Sequence, residues 1–256
     1  MNILNNLFNF RNKIILITGC NGQVGTSLVN LYISLGSKVY GLDFIGKKKI
    51  NDKNFHYIYC DIRKEKNLKR TLQKIFKIEK KIDVIINSAA TAIFNNYVKR
   101  TEKEIENVFK TNVSSIICII KNYSILFKKF KMKKGNILNI GSIYGFLSPD
   151  FNIYSKGDRF SSEIYGASKG SVIQLTKYFA VLLAKNKINV NCISPGGIIN
   201  KKVQTKKFIS KYKKRVPKFR MANTTDLFTA TLYLTSNKSD YTTGQNIVID
   251  GGLSIK

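Results

Sequence analysis

Three side chains of this chain have the types and spacing to move a proton to or from a substrate oxygen. Tyr165 and Lys169 stand in the run Tyr165-Gly166-Ala167-Ser168-Lys169; on a helix that spacing puts both on one face, one turn apart. A phenol has an unperturbed pKa of about 10, too high for an efficient base near neutral pH. An ammonium group held beside it favours the phenolate and lowers that pKa. Ser142, upstream, offers a hydroxyl to an oxygen whose charge changes during reaction. The same Tyr-x-x-x-Lys spacing is common on exposed helix faces with no chemical role. The pair therefore takes its meaning from the elements that position it.

Those elements begin with an apolar, β-rich run at residues 13–18, the pattern of a buried parallel strand. It leads into Gly19-Cys20-Asn21-Gly22-Gln23-Val24-Gly25 and an apolar-periodic helix through about Leu35. Strand, glycine turn and helix in that order form a dinucleotide-binding fingerprint: glycines allow a tight turn and close approach, and the helix N-terminus faces a pyrophosphate. The turn residues Gly19, Asn21, Gly22, Gln23, Val24 and Gly25 are the expected cofactor loop. Residues 37–42 read as a second strand ending at Asp43, about 20 residues beyond the turn, where such folds place the acid that binds the adenosine ribose. A carboxylate there accepts bonds from ribose hydroxyls and repels a 2′-phosphate, so Asp43 predicts NAD in preference to NADP. Lys47, Lys48 and Lys49 bring cations near enough to weaken that preference.

The alternation continues. Residues 57–60 predict a third strand ending in Asp61-Ile62, and residues 64–78 a helix. Residues 83–87 predict a fourth strand, followed by Ser88-Ala89-Ala90, small residues against which a cofactor can lie. An amphipathic helix over 101–133 contains Asn112, whose amide needs a polar partner if buried. Residues 136–140 form a fifth strand that delivers Ser142 at its carboxyl end, the edge where open α/β sheets bind ligands. Residues 146–163 are a long irregular segment with Pro149, Asp150, Lys156, Asp158 and Arg159, of the kind that serves as a lid. The helix of Tyr165 and Lys169 runs to about Ala184. Residues 188–193 form a sixth strand entering Ser194-Pro195-Gly196-Gly197, residues 201–220 a basic flap, 224–235 a helix, and 246–250 the last strand. The fold class expected is α/β: a single Rossmann-type, doubly wound parallel sheet of about seven strands with helices on both faces, one domain over residues 1–256.

Composition sets bounds. Lys and Arg total 44 against 15 acidic residues, a formal net charge of +29. The lysines are spread along the whole chain beside abundant Ile and Asn, as an AT-rich coding sequence would give, and no basic run carries the aromatic interleaving of a nucleic-acid module. No nucleic-acid partner is expected. There is no apolar run long enough for a membrane span and no signal-peptide pattern at Met1 to Asn5. Cys20, Cys60, Cys118 and Cys192 are scattered, which suggests reduced thiols and a cytoplasmic protein. His56 is the only histidine, so no metal site is expected.

Taken together, these residues resemble the short-chain dehydrogenase/reductase family from Lys13 to Gly252. The likeness rests on Thr18-Gly19-x-x-Gly22-x-x-Gly25, Asp61, Asn87-Ser88-Ala89-Ala90, Asn112, Ser142, Tyr165-x-x-x-Lys169, Pro195-Gly196, and an ending from Arg220-Met221 through Thr243-Gly244-Gln245 to Asp250-Gly251-Gly252 like that of the single-domain subgroup. The resemblance implies that Tyr165 is the general acid/base, that Lys169 lowers its pKa and binds the nicotinamide ribose, that Ser142 polarises the substrate oxygen, and that Asn112 holds a water in a proton relay. It implies pyrophosphate contacts at Gly19, Gly22 and Gly25, adenine contacts at Asp61 with Ile62, and further cofactor contacts at Asn87, Ala89, Pro195, Gly196 and Ile198. It also implies a homo-oligomer, a tetramer or dimer, using the Tyr165 helix and the last strand. The chain departs from the subgroup at Gln23, Ala90 and Asn200, and in the longer stretch between Ser142 and Tyr165.

That longer stretch is similar to dehydrogenases of bacterial surface-sugar pathways, including flagellin glycosylation. Its charged and aromatic residues suit a polyhydroxy or phosphorylated substrate, with Arg159 or Lys156 available for an anion. The function expected is hydride transfer between a nicotinamide cofactor and a secondary alcohol or ketone of a sugar derivative. One alternative is a 3-oxoacyl-[acyl-carrier-protein] reductase, whose acidic carrier would suit the basic surface. Another is a non-catalytic cofactor- or nucleic-acid-binding protein on the same scaffold.

Overall fold

Seven strands, all parallel, form the sheet of the computed structural model, which describes residues 8–46, 50–155 and 158–256. Met1 to Asn5, Lys47, Lys48, Lys49 and Lys156, which figure in the expectations above, lie outside the described residues. The strands are β1 (Ile14–Thr18), β2 (Lys38–Asp43), β3 (Phe55–Tyr59), β4 (Val84–Asn87), β5 (Gly135–Ile140), β6 (Ile188–Pro195) and β7 (Asn246–Ile249), in the spatial order β3-β2-β1-β4-β5-β6-β7. The order reverses between β1 and β4, and the crevice outside the strand ends at such a reversal is where these sheets take ligands.

The helices are α1 (Gln23–Ser34), α2 (Glu65–Glu79), α3 (Glu102–Phe109), α4 (Ser115–Lys129), α5 (Glu163–Leu183), α6 (Lys206–Arg215) and α7 (Phe228–Thr235). Side chains alternate across a strand, and β1 shows the consequence. Ile14 and Leu16 join the core layer beneath α2, α4 and α5, with Leu72, Phe76, Ile120 and Val172. Ile15 and Ile17 join the opposite layer with Leu28 and Tyr32 of α1 and Leu234 of α7. Helices cover both faces, which is why the strands read as continuous apolar runs.

Four elements differ from the sequence reading. The third strand starts and ends earlier, at Phe55–Tyr59, because β2 pairs it from Val39↔Phe55 to Asp43↔Tyr59. The expected helix over 101–133 is two helices joined by a π-helical turn, Lys110–Ser114, and the second stops at Lys129, just before Lys131 takes a positive φ of 51°. The helix expected at 224–235 opens with a 3-10 turn, Thr224–Leu227. Within the basic stretch, where a flap is predicted, α6 is capped by Thr205 and buries Tyr212 and then Val216 in a small third cluster. Among the described residues, no helix is long and apolar enough to cross a membrane, and no group of three or more His, Cys, Asp or Glu could hold a metal ion.

Candidate active site

The glycine turn is fixed by close backbone approaches. Gly19 has a φ of +66°, and a Cβ there would lie 2.6 Å from the Cα of Ala89. A Cβ on buried Gly25 would lie 2.0 Å from the carbonyl oxygen of Gly19, so only glycine lets α1 start this close to the turn. Gly22 is the N-cap of α1 and no acidic residue occupies its first turn, leaving the positive end of the helix free for an anion. Beside the turn, a cavity of about 310 Å³ is lined by Gly19, Asn21, Gly22, Asp43, Asp61, Ile62 and Ala89. Asp43, at the end of β2, is held by backbone donors: Asn21 N–H donates to Oδ2 at 3.0 Å and Ile45 N–H to Oδ1 at 3.1 Å. Asp61 is clamped by Arg63, whose Nε donates to Oδ1 at 2.8 Å and whose second terminal nitrogen donates to Oδ2 at 2.9 Å. The guanidinium holds that carboxyl below its usual range. Arg63 also lies over the Phe44 ring, 5.0 Å from its centroid, and donates to Asn107 Oδ1 at 2.8 Å.

Across Ser88 and Ala90, which line both, a second cavity of about 360 Å³ holds Val24, Ser142, Tyr165, Lys169, Pro195, Gly196 and Ile198. β5 delivers Ser142 and α5, capped by Ser162, delivers the tyrosine and lysine. Lys169 is 4% exposed; its Nζ donates to the Ile140 carbonyl at 2.6 Å and sits 5.7 Å from the Tyr165 ring centroid. Burial pulls the Lys169 ammonium down to about 8. Burial also raises the Tyr165 phenol, while the Ser142 hydroxyl beside it pulls the other way. For Tyr165, loss of water is the larger influence and the Ser142 hydroxyl the opposing one. Much of the remaining wall is aromatic, from Phe94, Tyr144, Tyr154, Phe208 and Tyr212, with Arg159, Ser161 and Gln204 among its polar members. Tyr212 accepts the Gly197 N–H at 2.6 Å and so braces the turn after β6.

Residues 44–254 match the family model described as enoyl-(acyl carrier protein) reductase. A 3-oxoacyl-[acyl-carrier-protein] reductase of Buchnera aphidicola is 31% identical over 250 residues, covering 94% of this chain and 97% of that protein. The crystal structure of a short-chain dehydrogenase from Leptospira borgpetersenii with bound NAD+ superposes with a TM-score of 0.91 at 37% identity, over 100% of this chain and 96% of the other. The chain belongs to the short-chain dehydrogenase/reductase family. As a short-chain dehydrogenase/reductase it is a nicotinamide-dependent oxidoreductase and an enzyme. A 2-dehydro-3-deoxy-D-gluconate 5-dehydrogenase of Dickeya dadantii is 27% identical, with 96% of this chain and 97% of that one covered.

The residues present fit a dinucleotide. The glycine turn spans the two cavities, with Gly22 lining one and Val24 the other; Asp43 stands on one side and Tyr165 with Lys169 on the other. Four of the expected site residues line neither cavity. Gln23 donates to the Ile199 carbonyl at 2.6 Å, tying the turn to the segment after β6. Gly25 is the packing contact already described. Asn87 donates to Asn139 Oδ1 at 2.8 Å, and its own Oδ1 is buried without a partner. Asn112 lies in the π-helical turn, where both its amide hydrogens are committed: Nδ2 donates to the Thr91 carbonyl at 3.0 Å and to Ser168 Oγ at 2.9 Å, while Oδ1 accepts Thr91 N–H at 2.8 Å. The expected polar partner is present, and it is protein. Sequence reasoning missed Arg63 and, within the aromatic wall, Phe94, Phe208 and Tyr212. Arg63 could have been found as the cation two positions after Asp61; the aromatics carry no periodic signal.

Proposed function

We propose that this enzyme interconverts a secondary alcohol and a ketone on a sugar or sugar derivative, using NAD in preference to NADP. The observation that carries the reading is the convergence of Ser142, Tyr165 and Lys169 on one cavity that meets the cofactor-side cavity at Ser88 and Ala90. A bound nicotinamide supplies the hydride acceptor in one direction and the donor in the other. The proton belongs to the protein. In carbonyl reduction Tyr165 gives its hydroxyl proton to the substrate oxygen while the Ser142 hydroxyl donates to the same oxygen. In alcohol oxidation the Tyr165 phenolate takes that proton back. Burial favours the protonated phenol at rest; the Ser142 hydroxyl pulls toward the phenolate, and the Lys169 ammonium, 5.7 Å from the ring centroid, would favour the same form when charged. Asp43, oriented by two backbone N–H groups, supports NAD, since a 2′-phosphate beside it would meet a fixed negative charge.

The polar and aromatic walls from the segment between Ser142 and Tyr165, and the gluconate-derived substrate named for the relative from Dickeya dadantii, support a sugar-type substrate. A second reading, reduction of a 3-oxoacyl group on a carrier protein, is favoured by the Buchnera relative and the basic surface. We further place the enzyme in a reducing, cytoplasmic compartment, supported by four cysteines that form no disulfide. It is taken as a homo-oligomer, supported by the exposed Tyr178, Val181 and Leu182 on α5. Turnover of a panel of sugars, aldonates and sugar phosphates with NAD+, against acetoacetyl thioesters with NADPH, separates the two readings. Activity confined to thioesters would remove the sugar reading.

A further inference from the structure

The cavity at Tyr165 contains a cation, Arg159, that no carboxylate among the described residues answers. Arg63, Arg100, Arg215 and Arg220 are paired with Asp61, Glu163, Asp150 and Asp226. Arg159 lines the cavity and has no carboxylate partner among the described residues. Its guanidinium instead lies over the Phe94 ring, 5.2 Å from the centroid, and Phe94 lines the same cavity. The adjacent acid, Asp158, is committed elsewhere: its Oδ1 accepts the Thr205 hydroxyl at 2.7 Å and its Oδ2 accepts the Ser155 N–H at 2.6 Å. Ser161 also lines the cavity, and its buried hydroxyl oxygen has no partner. The other cation in the cavity, Lys169, is tied to the Ile140 carbonyl near the reacting tyrosine.

A guanidinium is planar, weakly hydrated and matched to the two oxygens of a carboxylate or phosphate. Held over an aromatic face, it loses little further freedom when an anion arrives. Arg159 is itself exposed, so an ion pair formed there draws on two-point geometry and on the nearby Ser161 hydroxyl rather than on exclusion of water. We propose that Arg159, with Ser161, forms an anion subsite in the substrate cavity, so that the natural substrate is a hydroxy or keto compound carrying a carboxylate or a phosphate. This rests on the cavity being the substrate site, and it selects the acidic members of the sugar class over neutral sugars.

The test uses the full-length enzyme loaded with cofactor and matched pairs of compounds: gluconate and glucose 6-phosphate against glucose, and 3-hydroxybutyrate against 3-hydroxybutanamide. Wild type, Arg159→Met and Arg159→Lys are compared for kcat/KM with NAD+, for calorimetric binding of each compound to the NADH-loaded enzyme, and for NADH affinity as a check on the fold. The subsite predicts that anionic members bind better than their neutral partners, and that Arg159→Met lowers kcat/KM for them by roughly 3- to 10-fold, chiefly through KM, with NADH affinity retained. Arg159→Lys keeps part of that advantage, and the gluconate and glucose 6-phosphate arms tell carboxylate from phosphate. Equal use of charged and neutral partners, an equal loss on both in Arg159→Met, or no binding of any anionic member would overturn the subsite. Turnover of neutral sugars alone removes the subsite and leaves the sugar reading. Arg159-dependent turnover of 3-hydroxybutyrate alone removes the sugar reading and leaves the subsite.

Discussion

The cavity beside Asp43 is walled largely by backbone and short side chains at strand ends, whereas the cavity at Tyr165 takes much of its wall from aromatic side chains in irregular segments. In the first, positions are set by contacts that admit one residue type: a Cβ on Gly25 would strike the Gly19 carbonyl, and one on Gly19 would strike Ala89. In the second, Tyr154 and Phe208 stack with centroids 5.5 Å apart, and Phe94 lies under the Arg159 guanidinium. Backbone-limited contacts tolerate little change; ring contacts tolerate many substitutions that keep size and shape. The cofactor half therefore states what the enzyme family does, and the substrate half states on what.

The largest effect that separates the two halves should come from Tyr165→Phe. It removes the proton donor while leaving the ring in place, so turnover is expected to fall by roughly 10²–10⁴-fold, the range for a lost general acid/base. NADH affinity measured by calorimetry should stay within a few-fold of wild type. A variant that kept its rate would remove Tyr165 from the chemistry. Gly25→Ala should act on the other half. The added methyl must displace the Gly19 carbonyl, a strain of about 1–3 kcal/mol, and NADH affinity and thermal stability should fall together. If NADH titrations of that variant match wild type, the turn is not the cofactor cradle.

The difference between the halves also explains what could be read in advance. The strand-glycine-helix order, Asp43 at the end of β2 and Ser142 beyond β5 were all legible, because a parallel sheet buried on both faces has a strong apolar signal and places its ligand residues at the ends of that signal. The break at Lys110–Ser114 was not legible. The segment is polar but for Val113, yet it contains no helix breaker, and the π-helical turn coincides with the Asn112 amide binding Thr91, a contact 21 residues away in the chain. The helix within the basic stretch was hidden for a similar reason: lysines dominate its composition, and only Tyr212 and Val216 are buried. Arg159 was visible as a cation, but that no carboxylate among the described residues pairs with it is a property of three-dimensional neighbours alone.

A smaller effect concerns Lys169. Burial pulls its pKa in the folded protein down to about 8, from 10.5 for an ordinary lysine. Between those values the unfolded chain binds the proton and the folded one does not, so this group opposes folding most strongly below pH 8 and progressively less as pH rises. Melting curves should show Lys169→Met more stable than wild type at pH 7, with the gap closing by about pH 10. A gap that is absent at pH 7, or that widens with pH, would mean the ammonium is better solvated than its 4% exposure indicates.

The most direct test of the account is a calorimetric titration of wild type and Asp43→Ala with NADH and with NADPH at moderate salt. The account predicts that wild type binds NADH more tightly, and that Asp43→Ala narrows the difference by weakening NADH and easing the exclusion of NADPH. A wild-type preference for NADPH would contradict the assignment of Asp43 and move carrier-protein reduction ahead of the sugar reading.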